Sequence, residues 1–286
     1  MIDKLKNYGI QGAEQFKTVT PVKKGWSADE KYKVVTNSGQ KLLLRISSIK
    51  EKERKHKEFQ YLSAMDRTIR ASSPLAFGTC LNEERTYIIY TWVDVEDAEI
   101  ALKNYSKEKQ YKMGYKAGQS LRKINSIPML DEYESWDKRY NRKIDSKLKM
   151  YESCEVALED AHKFLEVIER YRPLIKNRPT VFMHGDFHVG NLVIDNEGTV
   201  GIIDFNRFDF GDPWDEFNRM IFTVDVSNYF ASGMINGYFN DQVDKHFFEL
   251  MALYTAVNQI GSLPWAVKFG KKEVATMQRL SKQIIE

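Results

Sequence analysis

One stretch constrains this chain more than any other. From Asp97 onward apolar residues recur at helical spacing, and Val181 to Phe205 breaks that pattern with β-branched residues and glycines. The break reads Val181-Phe182-Met183-His184-Gly185-Asp186-Phe187-His188-Val189-Gly190-Asn191-Leu192-Val193-Ile194 and turns at Asp195-Asn196-Glu197-Gly198. It returns as Thr199-Val200-Gly201-Ile202-Ile203-Asp204-Phe205. Two apolar runs flanking a glycine-containing turn predict a hairpin. With Ile194 opposite Thr199, Asn191 and Asp204 fall at the open end of strands about 4.8 Å apart. A carboxamide oxygen and a carboxylate held that close suit a hard cation such as Mg2+, which accepts few protein ligands. Asp186 precedes Asn191 on a loop that Gly185 and Gly190 keep tight. A carboxylate there can accept a hydroxyl proton and orient the oxygen toward phosphorus.

The rest of the chain frames this island. Phe16 to Val22, Tyr32 to Thr36 and Lys41 to Ile46 read as strands, with a turn at Asn37-Ser38-Gly39. A charged helix follows over Ile49 to Met65, its Lys50 to Lys55 stretch reading as a solvated face, and then strands at Pro74 to Thr79 and Thr86 to Tyr90. Helices are expected at Lys107 to Ile124, Cys154 to Ile175, Asp241 to Gln259 and Lys271 to Ile285. The expectation is two domains, a β-rich lobe over 1–92 and a mainly helical lobe over 93–286, with a ligand cleft between them.

Composition excludes several classes. At 286 residues, 42% hydrophobic and 29% charged, the chain can bury a full core without staples. A net charge of +3 demands no nucleic acid, and Cys80 and Cys154 form no metal or disulfide pattern. No apolar run reaches the length of a membrane span, and the start reads as neither signal nor transit peptide. A cytoplasmic protein without nucleic-acid or membrane partners is the expectation.

Each island residue also has an ordinary role. Asp204 can end a strand, Asn191 can occupy a left-handed turn, and Asp186 can be a solvated loop residue. Their joint spacing favours a metal-assisted phosphoryl-transfer site. His184 and His188 stand at a zinc spacing, but the glycines make this a loop and no third ligand is evident. His184 reads as a support for the loop.

The arrangement H-x-D-x-x-x-x-N, then a hairpin and an aspartate, resembles the kinase catalytic loop and metal aspartate. His184-Gly185-Asp186 to Asn191, with Ile203-Asp204 and Gly211-Asp212-Pro213 downstream, resembles the aminoglycoside phosphotransferase and choline kinase group. Glycine after the histidine favours its small-molecule branch. The resemblance implies an α+β, two-lobed protein-kinase-like fold. It also implies transfer of the γ-phosphoryl of ATP or GTP, with Mg2+, to a hydroxyl of a small molecule.

Residue by residue, the resemblance makes Asp186 the base and Asn191 and Asp204 the metal ligands. Gly25 and Ser27, within Lys24-Gly25-Trp26-Ser27, match the loop over the phosphates. Arg45 takes the place of the usual phosphate-binding lysine, with Glu58 as its partner, and Tyr90 and Trp92 fall at the purine connector. Asp212 suits a helix N-cap as well as a catalytic role. Asp209 is a candidate for the cleft, and Tyr254, Asn258 and Trp265 for an acceptor wall.

Asp94, Glu96, Asp97 and Glu99, then Asp209, Asp212, Asp215 and Glu216, are either helix starts or an acidic rim. As a rim they would select an amine-bearing alcohol such as an aminoglycoside. The rival readings are a protein kinase and a non-catalytic nucleotide-binding module. No A-P-E-like segment follows Asp204, and Asp186, Asn191 and Asp204 are intact.

Overall fold

Alternating β-formers build an antiparallel sheet in the first part of the chain. The computed structural model describes residues 2–23, 28–93 and 95–285. Gly25, Ser27 and Asp94 lie outside the described residues. After α1 (Ile2–Lys6) come β1 (Phe16–Pro21), β2 (Glu30–Thr36), β3 (Lys41–Ser48), β4 (Pro74–Cys80) and β5 (Arg85–Thr91). They hydrogen-bond in the order β1-β2-β3-β5-β4. Gly39, at φ +85°, makes the predicted turn between β2 and β3. Phe16, Val34, Leu42, Leu44, Ile46 and Ile89 pack with Leu5 and Ile10 into one core.

α2 (Lys52–Ser63) follows β3 and buries Lys55, Glu58, Tyr61 and Leu62. Lys55, Glu58 and Leu62 are spaced by three and four residues, so they share one helix face. The face read as solvated is therefore interrupted at Lys55, which is 2% exposed.

The chain divides into two compact units, Met1–Val95 with Gly201–Asn206, and Glu96–Val200 with Arg207–Glu286. The first unit runs to Val95, against an expected division after Trp92, and takes in a short piece from the hairpin. Its own hydrogen bonds explain why. Ile202 N–H donates to Arg70 O at 2.8 Å, and Ser72 N–H donates back to Ile202 O at 3.3 Å.

In the second unit β6 (Glu96–Asp97) pairs antiparallel with β8 (Leu192–Ile194). β7 (Val181–Met183) pairs with β10 (Asp209–Gly211), setting Asp209 opposite Met183. After β8 the chain turns toward β9 (Val200–Ile202). Asp195 N–H donates to Thr199 O at 3.1 Å and Gly198 N–H to Asp195 O at 2.9 Å. Asp195, not Ile194, therefore faces Thr199, one residue from the expected register.

The helices are α3 (Ala98–Ala101), α4 (Lys107–Asn125), α5 (Trp136–Glu152), α6 (Ala161–Tyr171), α7 (Met220–Val226), α8 (Asn228–Phe239), α9 (Phe247–Val267) and α10 (Lys271–Ile285). α4 and α8 touch backbone to backbone. A Cβ on Gly114 or Gly118 would strike the Phe230 or Met234 carbonyl, and one on Gly233 or Gly237 the Tyr111 or Tyr115 carbonyl. Among the described residues no helix is long and apolar enough to cross a membrane.

Candidate active site

β7 ends at Met183 and hands the chain to a tight loop. Gly185 has φ +77°, and a Cβ there would collide with the Arg207 carbonyl, so only glycine lets residue 207 pass this close. His184 is fully buried, and its Nδ1 accepts the Asp186 N–H at 3.2 Å. Glu216 accepts the His184 N–H at 2.5 Å through one oxygen and the Gly185 N–H at 3.0 Å through the other. Burial pushes the Glu216 carboxyl up to about 8, and the two backbone donors only moderate this.

Asp186 sits among cations. Arg219 Nη1 donates to its Oδ1, and Arg207 Nε stands 3.6 Å from Oδ2. His188 Nε2 lies 3.5 Å from Oδ1. The His188 Nδ1 accepts the Gly190 N–H at 3.1 Å, so the proton of the neutral ring is on Nε2, toward Asp186. Burial lowers His188 to about 4 and keeps it neutral at pH 7. Burial also raises Asp186, but the guanidinium charges of Arg219 and Arg207 outweigh it and hold the carboxyl below the usual range. Asp186 is thus an ionised acceptor suited to orienting a hydroxyl. Asn191 Nδ2 donates to the Asp186 carbonyl at 2.8 Å, which leaves its carboxamide oxygen as the end able to meet a cation.

Asp204 belongs to the first unit, with φ +62°. Its Oδ1 lies 3.1 Å from Arg45 Nη1. Arg45 is 3% exposed and donates from Nε to Asp29 at 2.5 Å, while its buried Nη2 has no hydrogen-bond partner among the described residues. Such an orphan donor is costly unless a ligand satisfies it, and a phosphate oxygen is the natural acceptor.

The expected Arg45–Glu58 pair does not form. Glu58 instead binds Lys55 Nζ at 2.9 Å and the Tyr90 hydroxyl at 2.5 Å. Lys55, one turn earlier on α2, reaches Glu58 directly, whereas Arg45 is drawn to Asp29 and Asp204. Lys55 also meets Asn206 Oδ1 at 2.6 Å. The Tyr90 hydroxyl is engaged by Glu58, and the Trp92 N–H donates to Lys41 O at 3.1 Å.

A cavity in the second unit is lined by side chains of α5 and α9 and by the segments around Gly185 and Arg207. Asp209 and Asn258 line it, as does Tyr254; Trp265 does not, and lies tilted against Phe269 with ring centroids 4.5 Å apart. The later acidic run forms no open rim. Arg139 pairs with Asp209 at 2.7 Å and Lys143 with Asp215 at 3.2 Å. Asp212 is fully buried, held by Arg178 at 2.6 and 2.9 Å and by the Tyr254 hydroxyl at 2.6 Å, and it caps the Trp214 N–H at 3.0 Å. Its role is structural.

Residues 18–248 match the sequence profile of the phosphotransferase enzyme family. The chain belongs to that family. Solved structures share the fold of this phosphotransferase at low identity. Aminoglycoside phosphotransferase APH(4)-Ia has a TM-score of 0.69 at 13% identity, over 95% of this chain and 94% of that one. The GDP complex of aminoglycoside 2'-phosphotransferase-IIIa gives 0.70 at 13%, covering 94% and 92%. Amicoumacin kinase hAmiN, solved with AMP-PNP, Ca2+ and Ami, gives 0.67 at 14%, covering 99% and 91%. These likenesses establish the α+β protein-kinase-like fold expected from the sequence. No curated protein matches by sequence.

Several residues of this candidate site escaped sequence reasoning. Lys55 was signalled only by its spacing to Glu58. Arg207, Arg219 and Glu216 reach the Asp186 loop through tertiary packing, and Asp29 meets Arg45 from a neighbouring strand's approach. None of these carries a local pattern.

Proposed function

We propose that this phosphotransferase moves the γ-phosphoryl group of ATP or GTP to a hydroxyl of a small molecule. Asp186 accepts a hydrogen bond from the acceptor hydroxyl, aims its oxygen at the γ-phosphorus, and takes the proton as the new P–O bond forms. Arg219 and Arg207 keep that carboxylate ionised, and neutral His188 offers a further hydrogen bond without competing for the proton. Glu216 and His184 hold the loop backbone in place.

The observation that carries this reading is the Asp186–Asn191 unit. One side chain is an ionised carboxylate, and the other has its amide nitrogen tied to the Asp186 carbonyl and its oxygen left over. The donors Asn191 and Asp204 are hard oxygens, fitting Mg2+, which when bound would draw charge from the transferring phosphoryl group. Arg45, with its orphan Nη2, would hold phosphate oxygens. Similar folds solved with GDP and AMP-PNP support a purine nucleotide as donor.

The test is calorimetric titration of nucleotide with and without Mg2+. Asp204→Ala should abolish the Mg2+-dependent part of ATP binding, and Asn191→Ala should weaken it less, because a carboxylate neutralises charge and an amide only coordinates. Equal Mg·ATP affinity in Asp204→Ala and wild type would remove the metal assignment.

A further inference from the structure

The cavity of the second unit carries positive charge that its own acids do not balance. Around it Arg139 pairs with Asp209, Lys143 with Asp215, and Arg219 with Asp186. Two cations on its wall are left over. Lys147 donates to the Val257 carbonyl at 3.3 Å and has no carboxylate partner among the described residues. Arg207 stands 3.6 Å from Asp186, a carboxylate that Arg219 already engages.

Lys147 is held in this place by its surroundings. Its side chain leaves α5 and crosses α9 at Gly261, where a Cβ would lie 2.6 Å from Cδ and 2.9 Å from Nζ. Burial, then repulsion from Lys143, lowers the ammonium to about 7, as expected of a cation lacking a counter-charge. A further group is also unsatisfied. Asn218 Oδ1 is buried and has no hydrogen-bond partner among the described residues. Its amide cannot turn over, because Nδ2 donates to the Asp215 carbonyl at 2.5 Å and to Asp215 Oδ1 at 3.1 Å. A lysine with no carboxylate partner among the described residues, an arginine that shares Asp186 with Arg219, and one orphan acceptor fit an anion with a hydroxyl.

We propose that this cavity binds the acceptor, and that the acceptor is an alcohol bearing a carboxylate or phosphate, seated on Lys147 and Arg207, with a hydroxyl donating to Asn218 Oδ1. The proposal rests on the phosphoryl-transfer reading, because Asp186 joins the cavity wall through Arg219 and Arg207. It reverses the charge expected from the later acidic segment, where Asp212, Asp215 and Glu216 are buried and Asp209 pairs with Arg139. In the reaction the acceptor oxygen bonds to the γ-phosphorus, the bond from that phosphorus to the nucleoside diphosphate breaks, and the hydroxyl proton passes to Asp186 and then to water. The product is an acid that also carries a phosphomonoester.

Two measurements test it. The first is NMR of wild-type protein labelled with 13C at lysine Cε, with the Lys147 signal identified by its loss in Lys147→Arg. Added inorganic phosphate or gluconate should move that signal and raise its titration midpoint by about one to three pH units, the usual effect of an adjacent opposite charge. An unmoved Lys147 signal in excess of both anions overturns the proposal.

The second is ADP release with ATP and Mg2+ over glucitol, glucosamine, gluconate and glucose 6-phosphate. The acidic members should exceed glucitol in kcat/KM by roughly ten- to a hundredfold, the worth of a charge-assisted hydrogen bond, and Lys147→Met should erase that preference. Turnover confined to glucitol and glucosamine overturns the anionic acceptor and leaves phosphoryl transfer standing. A Lys147 response with no ADP release from any member supports the anion site and counts against the transfer reading.

Discussion

At position 55 a lysine on a helix that reads as charged throughout is buried beside Glu58, itself 1% exposed. Lys55→Met would leave that carboxylate buried and short of its cation, which costs about 3–5 kcal/mol. A surface lysine would cost within about 0.5 kcal/mol, so chemical denaturation separates the two descriptions. Arg45 is a different case, because its buried Nη2 has no hydrogen-bond partner among the described residues. Arg45→Lys should keep the protein folded but weaken ATP binding, since an ammonium preserves charge and loses the fork that places Nη2. Unchanged ATP affinity in that variant would demote Arg45 to a purely structural role. The residue types at Asp186, Asn191 and Asp204 were legible from spacing alone. Their charged neighbours were not, because Arg207 and Arg219 are brought to Asp186 by packing between segments that no periodicity links.

Elements differed in legibility for physical reasons. The five strands of the first sheet and α4 were readable from alternation and helical spacing. α5 was missed because only Trp136, Tyr140 and Ile144 are buried on an otherwise charged helix. α8 was missed because Gly233 and Gly237 lower its helix propensity, although they are what allows α4 to approach. Gly118→Ala or Gly237→Ala should therefore destabilise by about 1–3 kcal/mol through overpacking, despite alanine's better propensity. A rise in Tm would show that the two helices do not need glycine there.

The loop held by Glu216 adds a pH dependence. Its folded pKa is raised from 4.5 to about 8, so the folded state binds the extra proton and is favoured at low pH. That contribution is fully present below pH 4.5, declines as pH rises, and is gone above about 8. The advantage of wild type over Glu216→Gln should be largest near pH 4.5 and smallest above 8. An advantage that grows with pH would mean Glu216 is ionised throughout.

For the whole molecule, the phosphotransferase family and the kinase-like fold are established, and the roles of individual residues are the proposal. The two units divide the chemistry by residue type. The first brings together Arg45, Lys55, Asp29, Glu58 and Asp204; the second brings Asp186, Asn191 and a cationic cavity. The division was partly legible: a β-rich part followed by a helical part is visible in composition. That residues 201–206 group with the first unit was not, because it depends on Ile202 pairing with the Arg70–Ser72 segment.

The central claim is that Asp186 directs an alcohol onto the γ-phosphorus, and 31P NMR of the running reaction tests it most directly. With ATP, Mg2+ and an acceptor that releases ADP, a phosphomonoester resonance should grow one-for-one with ADP. In Asp186→Asn, which keeps the shape and removes the charge, its rate should fall about 10²–10⁴-fold. Phosphomonoester formation at the wild-type rate in that variant would contradict the account.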